Sequence, residues 1–322
     1  MPKFPGSPVS PLRRIIGRSL LVFGAFVLAG CSMLRLAYDQ APNFAYWWID
    51  SYVDVDDAQS PRMRDALDRW FAWHRRNQLP EYAALLSRAQ REIVENVSAA
   101  GMCGWTAEAQ RRIDLALEEG LSAAAELMLT LTPAQLRHLE RRFKKNQDEM
   151  RDDFLQPDLA ERKAESLDRA LKRSENLYGR LDSAQRDWLA AQLDKSAFDP
   201  ERWLAERRLR QQETLRTLTN VAASARASTD RTVALAQART AARSLAEQMT
   251  RSPRADYRTY QQRLMQENCA VAAGLHNLTT PAQRQTARVK LKGWEDDLRA
   301  LVAAVDSTRL PANSLPPPIE SR

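Results

Sequence analysis

Two stretches near the C-terminus carry their apolar residues at alternating spacings of three and four. Tyr257, Tyr260, Leu264, Asn268, Val271, Leu275 and Leu278 form the first, with Asn268 its one polar member. Ala287, Leu291, Trp294, Leu298, Leu301 and Val305 form the second. That spacing lines residues up on one face of an α-helix and scatters them over both faces of a strand. So narrow a stripe is coiled-coil-like, and the two stretches are expected to pair antiparallel across the turn at 279–281. The same period recurs earlier, in Met63, Leu67, Trp70 and His74, then in Tyr82, Leu86, Ala89, Ile93 and Val97. It continues through Ile113, Leu117, Leu121, Ala124, Met128 and Leu131, and through Leu136, Leu139, Phe143, Met150 and Phe154. No stretch alternates with period two between hairpin turns, and ten glycines in 322 residues argue against barrels, sandwiches and glycine-looped nucleotide folds. The expected fold is all-α, an elongated multi-helix bundle with coiled-coil-like helical hairpins.

Prolines between Pro42 and Pro281 mostly stand where a helix begins or stops, and one start pattern recurs. It reads Val55-Asp56-Asp57-Ala58-Gln59, Leu131-Thr132-Pro133-Ala134-Gln135 and Leu181-Asp182-Ser183-Ala184-Gln185. Leu278 with Thr280-Pro281-Ala282-Gln283 is a fourth copy with one extra residue. Each is a capping box: Thr or Asp at the N-cap accepts from the N3 amide, and Gln at N3 reaches back to the N-cap amide. The pattern resembles the Leu-Thr-x-x-Gln motif of small periplasmic all-α stress proteins, the Spy and CpxP group, which Leu131–Gln135 matches literally. That resemblance implies an ATP-independent chaperone or stress modulator with a concave basic and apolar surface.

At the N-terminus Lys3, Arg13, Arg14 and Arg18 precede an uncharged run from Ser19 to Gly30, too short to span a bilayer and suited to a signal peptide. The run ends in Leu28-Ala29-Gly30-Cys31, which resembles a bacterial lipobox at every position. The resemblance implies cleavage before Cys31 and acylation of Cys31, hence a protein anchored to the membrane and not spanning it. Ser32, where inner-membrane lipoproteins often carry Asp, implies the outer membrane facing the periplasm. Four cationic residues belong to the removed segment, so the formal charge of +7 falls to +3 in the mature chain. The chain divides into a signal peptide (1–30), an aromatic-rich membrane-proximal segment (31–56), a helical domain (57–308) and a Pro-rich tail (309–322).

A second resemblance covers more of the chain. Cys31, Tyr38, Trp47-Trp48, Tyr52-Val53-Asp54, Gln59, Trp73-His74-Arg75, Leu79-Pro80-Glu81-Tyr82 and the stretch Glu175 to Gln185 are similar to a family of uncharacterised proteobacterial lipoproteins. It implies anchoring and helical architecture and supplies no activity.

The remaining candidates each have a sharp and a plain interpretation. Cys103 and Cys269, left over after Cys31, are either a periplasmic disulfide or two unrelated thiols, with Cys103 placed in a Gly101–Gly104 turn. Tyr38, Phe44, Tyr46, Trp47, Trp48 and Tyr52 either seat Trp47 and Trp48 at the membrane interface or close the bundle core, the latter favoured by the nearby Asp50, Asp54, Asp56 and Asp57. Those aspartates lack EF-hand order, so no metal site is expected. His74 lies on the stripe of Leu67 and Trp70 and reads as a packed histidine. A single long helix is expected after Asp199-Pro200; along it, from Arg216 to Arg254, seven arginines face only Asp230 and Glu247, so Arg226, Arg231 and Arg239 are either a surface for an anionic partner or a solvated face. No nucleophile elbow, phosphate loop or zinc spacing occurs, no cofactor is expected, and export removes nucleic acid as a partner. The expected function is non-enzymatic: capture of unfolded clients or of an envelope protein by a chaperone-like or envelope-maintenance factor. A structural adaptor of an outer-membrane assembly is the alternative and a hydrolase of envelope polymers the third.

Overall fold

The computed structural model describes residues 37–307, the side chains of 305–307 excepted. The signal peptide, Cys31 and the Pro-rich tail lie outside the described residues. After a helical turn at 37–39 come α1 (Ala41–Val53), α2 (Ser60–Asn77), α3 (Leu79–Glu92), α4 (Ala99–Thr130), α5 (Pro133–Phe154) and α6 (Leu159–Tyr178). They are followed by α7 (Ser183–Leu193), α8 (Pro200–Ala227), α9 (Arg231–Thr250), α10 (Ala255–Leu278) and α11 (Pro281–Ser307). There is no strand among the described residues, so the fold is all-α. None of these helices is long and apolar enough to cross a membrane.

The prolines act as the sequence indicates. Pro42, Pro61, Pro80, Pro133 and Pro200 occupy the first or second position of their helices, where a missing N–H has no helical partner to lose. Gly179 ends α6 at φ +76°, a conformation that disfavours a side chain.

The 32-residue α4 is the spine. Its N-terminal half runs antiparallel to α10, joined by the Cys103–Cys269 disulfide and by Asn277, whose side chain binds both backbone groups of Val97. Its C-terminal half runs antiparallel to α9, with Arg231 on Glu126 and Arg243 on Glu118. One core cluster lies here, Leu121, Ala125 and Met128 of α4 against Ala238 and Ala242 of α9 and Leu218 and Val221 of α8. A second joins α6, α7 and α10 through Ala170, Leu181, Leu189 and Leu275. There Gly274 lets the Trp188 ring approach so closely that an added Cβ would sit 2.6 Å from it.

Three expectations are corrected. The two C-terminal seams do not pair with each other: α10 lies on α4 and α7, and α11 lies antiparallel on α3 and also touches α6. The buried residues of α10 are Tyr257, Tyr260 and Leu275 of the expected seam together with Cys269, Ala273 and His276, while Asn268 and Leu278 are exposed. Long-range partners thus widened and shifted the stripe that the spacing marks. The Gly101–Gly104 turn is instead the start of α4, capped by Ser98 Oγ accepting from Gly101 N; a cap and tertiary packing outweigh the modest cost of helical glycine. The single long helix read after Pro200 is two, because Asp230 accepts from the amides of Thr232 and Val233 and starts α9.

The four start motifs form two matched clasps. The capping boxes at Thr132/Gln135, Asp182/Gln185 and Thr280/Gln283 are complete. In the first copy Asp56 and Gln59 make the same bonds although the regular helix begins only at Ser60. Each glutamine Oε1 is therefore held by its own N-cap amide, which leaves its Nε2 with two donors. Gln59 Nε2 donates to Gln135 Oε1 (3.3 Å) and to the carbonyl of Thr130 (3.1 Å). Reciprocally, Gln135 Nε2 donates to Gln59 Oε1 (2.6 Å) and to the carbonyl of Asp54 (2.9 Å). Gln185 and Gln283 repeat this, with Gln185 on Leu278 O and Gln283 on Arg180 O, both at 2.9 Å. In every case the carbonyl belongs to the residue two before the partner's N-cap. Helix contacts repeat too: α1 with α2, α1 with α5 and α2 with α4 correspond to α6 with α7, α6 with α11 and α7 with α10. One helix–motif–helix arrangement is thus used twice along the chain. The boundary at residue 56 falls inside the first clasp, so α1 is built into the helical body.

Gln59, Gln135 and Gln185 are buried. Gln135→Leu strands the Asp54 carbonyl, the Thr132 amide and half of the Gln59 amide, at about 1–3 kcal/mol for each buried polar group left alone. A loss of roughly 2–4 kcal/mol is expected for Gln135→Leu and again for Gln185→Leu, read from urea unfolding midpoints. Midpoints within about 0.5 kcal/mol of the parent would show the clasps to be idle.

Candidate functional site

Helix α1 divides its aromatics between two sides. Tyr46 is buried; its hydroxyl donates to Ser60 Oγ at 2.9 Å and the Arg64 guanidinium covers its ring at 3.7 Å. Tyr38, ahead of the helix, reaches His74 Nδ1 at 2.7 Å beneath the Arg75 guanidinium. Burial pushes the Tyr38 hydroxyl up to about 12, so the phenol stays protonated in that bond. Phe44, Trp47 and Trp48, at positions i, i+3 and i+4, face outward and stay 55%, 57% and 66% exposed. The preferred expectation, that this aromatic segment closes the core, therefore holds for Tyr46 and fails for Trp47 and Trp48.

Three acidic residues of this region have local tasks. Asp50 accepts from Val55 N at 2.8 Å, Asp56 accepts from the amides of Ala58 and Gln59, and Asp39 pairs with Arg75. Each histidine is hydrogen-bonded within the fold, on a separate helix. His74 stacks on Trp70 at 4.9 Å, His138 Nε2 reaches the Ser51 carbonyl, and His276 sits between the Tyr178 hydroxyl and the Glu95 carbonyl. The carbonyl requires a proton on His276 Nε2, so Nδ1 accepts from Tyr178. Burial lowers the pKa of both His74 and His276.

All three arginines singled out are exposed, and two of them bond to groups of other helices. Arg226 donates to the Leu131 carbonyl at 2.9 Å, closing the end of α4, and Arg231 pairs with Glu126 at 2.6 Å. Arg239 is exposed on α9. Sequence reasoning overlooked a shallow, open groove of about 380 Å³ between α5 and α8, walled by Leu136 and Leu215 and flanked by Arg137, Arg216 and Glu140. Its two walls are distant in sequence, so no local pattern announces it.

Cys103 and Cys269 are joined in the structure, with Cα atoms 5.4 Å apart. No group of three or more His, Cys, Asp or Glu side chains suited to a metal ion occurs among the described residues.

These features define an all-α scaffold on paired glutamine clasps, with an aromatic face at one end and an arginine-flanked groove. The chain belongs to a family of unknown function, DUF6279, whose profile matches residues 51–233, more than half of its length. The matched stretch contains Gln59, Gln135 and Gln185, whereas Gln283, Cys269 and the exposed face of α1 lie outside it. No curated protein and no solved structure matches the chain.

Proposed function

We propose that this protein is a bacterial envelope lipoprotein, anchored through Cys31 at the periplasmic face of the outer membrane, whose helical body binds a protein partner or unfolded client without catalysing a reaction. The observation that carries the reading is Leu28-Ala29-Gly30-Cys31 at the end of a short uncharged run behind four cationic residues. Acyl chains on Cys31 and the new amino group together exceed the two anchoring signals that stable attachment needs. The groove between α5 and α8 favours client capture, since apolar walls edged by two arginines and one glutamate suit an extended amphipathic segment. The likeness of the start motifs to the Spy and CpxP group points the same way.

Growth with a clickable palmitate analogue tests the anchor. The wild-type chain is expected to take up label and sediment with outer membranes, and Cys31→Ser to lose both. Label retained by Cys31→Ser, or absent from the wild type, overturns the anchor. For the groove, the purified protein is expected to slow aggregation of a reduced model client, and Arg137→Glu/Arg216→Glu to weaken that effect severalfold. Equal protection by both proteins removes the groove from the function, and a single stoichiometric crosslinked partner would favour the adaptor role.

A further inference from the structure

We infer that the outward face of α1, formed by Phe44, Trp47 and Trp48, rests in the interface of the bilayer that holds the Cys31 anchor; the inference builds on the anchored reading. Three observations converge on a lipid surface as the occupant.

The face is apolar and free of uncompensated charge. Between residues 37 and 53 the exposed positions are Ala37, Asp39, Gln40, Phe44, Trp47, Trp48 and Ser51. The one charge among them, Asp39, is bound to Arg75 at 2.6 Å. Of the four aspartates that from sequence seem to bar the approach of anionic headgroups, Asp50 is turned to the amide of Val55, while Asp54, Asp56 and Asp57 are exposed in the turn that follows α1. A cation also stands beside the face: Arg142 lies over Tyr52, whose ring meets Trp48 at 5.1 Å. An apolar strip with a basic flank suits an interface bearing anionic lipid.

The tether is short. Six chain steps separate Cys31 from Ala37, at most about 20 Å fully extended. Phe44 lies only about 10 Å beyond Ala37, and Trp48 about 16 Å beyond it, at helical rise. Acylation of Cys31 thus keeps this face within about 35 Å of the anchor, a reach that lets it lie on the membrane.

The residue types match the location. Tryptophan combines a large apolar ring with an N–H that needs a polar partner, and the bilayer interface supplies both environments. The other side of α1 is fixed to the body by Tyr46 and the first clasp, so the face cannot turn inward without undoing buried contacts.

The full mature protein, purified from membranes and reconstituted into phosphatidylethanolamine–phosphatidylglycerol vesicles carrying phospholipid brominated near the ester end of its chains, tests the inference. Tryptophan emission is expected to be quenched, and Trp47→Phe/Trp48→Phe to reduce that quenching at least fivefold with an unchanged circular dichroism spectrum. Unquenched emission from acylated protein that floats with the vesicles overturns the inference and assigns the face to a protein partner. Absence of acyl mass on Cys31 sinks the anchor separately. The face is then judged at excess vesicle lipid with the unacylated chain, where unquenched emission again overturns it.

Discussion

Replacing Cys103 and Cys269 together by serine is expected to lower the unfolding free energy by up to about 5 kcal/mol. The two cysteines are 166 residues apart, and the loop-closure model gives about 5 kcal/mol for a cross-link that long. The link ties the N-terminal half of α4 to α10, whose Asn277 and His276 bind the backbone of Val97 and Glu95 just before α4. Nearly everything between the two cysteines, including the α4–α8–α9 core, is therefore constrained by one bond in the unfolded chain. Guanidinium unfolding of the oxidised protein, the reduced protein and the double serine variant measures the effect. Both disulfide-free states should unfold at matching, lower denaturant concentrations. Coincidence of all three midpoints, or a native mass showing two free thiols, would refute the expectation.

Arg254→Ala is expected to cost roughly 3 kcal/mol, the lower end for breaking a buried ion pair by removing one partner. Glu206 of α8 is 3% exposed, accepts from Ser252 Oγ at 2.7 Å and is held by the Arg254 guanidinium at 2.5 and 2.8 Å. Arg254 also reaches Glu213, and Arg210 adds a second cation beside Glu206 at 3.3 Å. This network fixes the turn between α9 and α10 onto α8. Without Arg254, Glu206 keeps a desolvated charge with weaker compensation. Burial by itself raises the Glu206 pKa, but the bonds from Arg254 and Ser252 and the charges of Arg254 and Arg210 outweigh it, and the net direction is downward from 4.5. A carboxylate with a depressed folded-state pKa contributes stability that is complete above its unfolded value and disappears as pH falls through the folded one. The parent protein should therefore lose stability below about pH 4.5, and Arg254→Ala should lose less over that range because its Glu206 is less depressed. Parallel stability–pH curves for the two proteins would dismiss the network as the source of the acid sensitivity.

The glutamine clasps show where sequence reading stopped and why. Each capping box was legible because its partners lie within four residues of one another. The pairing of Gln59 with Gln135 and of Gln185 with Gln283 spans 76 and 98 residues, and no local rule specifies it. A signal did exist. Four copies ending in the same glutamine, each with Oε1 committed to its own N-cap, leave four amide nitrogens needing acceptors. The exposed aromatics were misassigned for a related reason. Tyr46, Trp47 and Trp48 are consecutive, and composition alone does not divide consecutive residues between the two sides of a helix.

By itself the sequence determined the all-α class, most helix starts and the lipobox resemblance on which anchoring rests, because periodicity, caps and short motifs are written in neighbouring residues. The tertiary structure decided which helices meet. It sent the two most regular seams to α4 and α3 instead of to each other, joined four isolated caps into two clasps, and bonded Arg226 and Arg231 to groups about a hundred residues away. Those outcomes depend on pairing groups far apart in the chain, where buried hydrogen-bond donors, carbonyls and charges must find partners and local spacing carries no instruction.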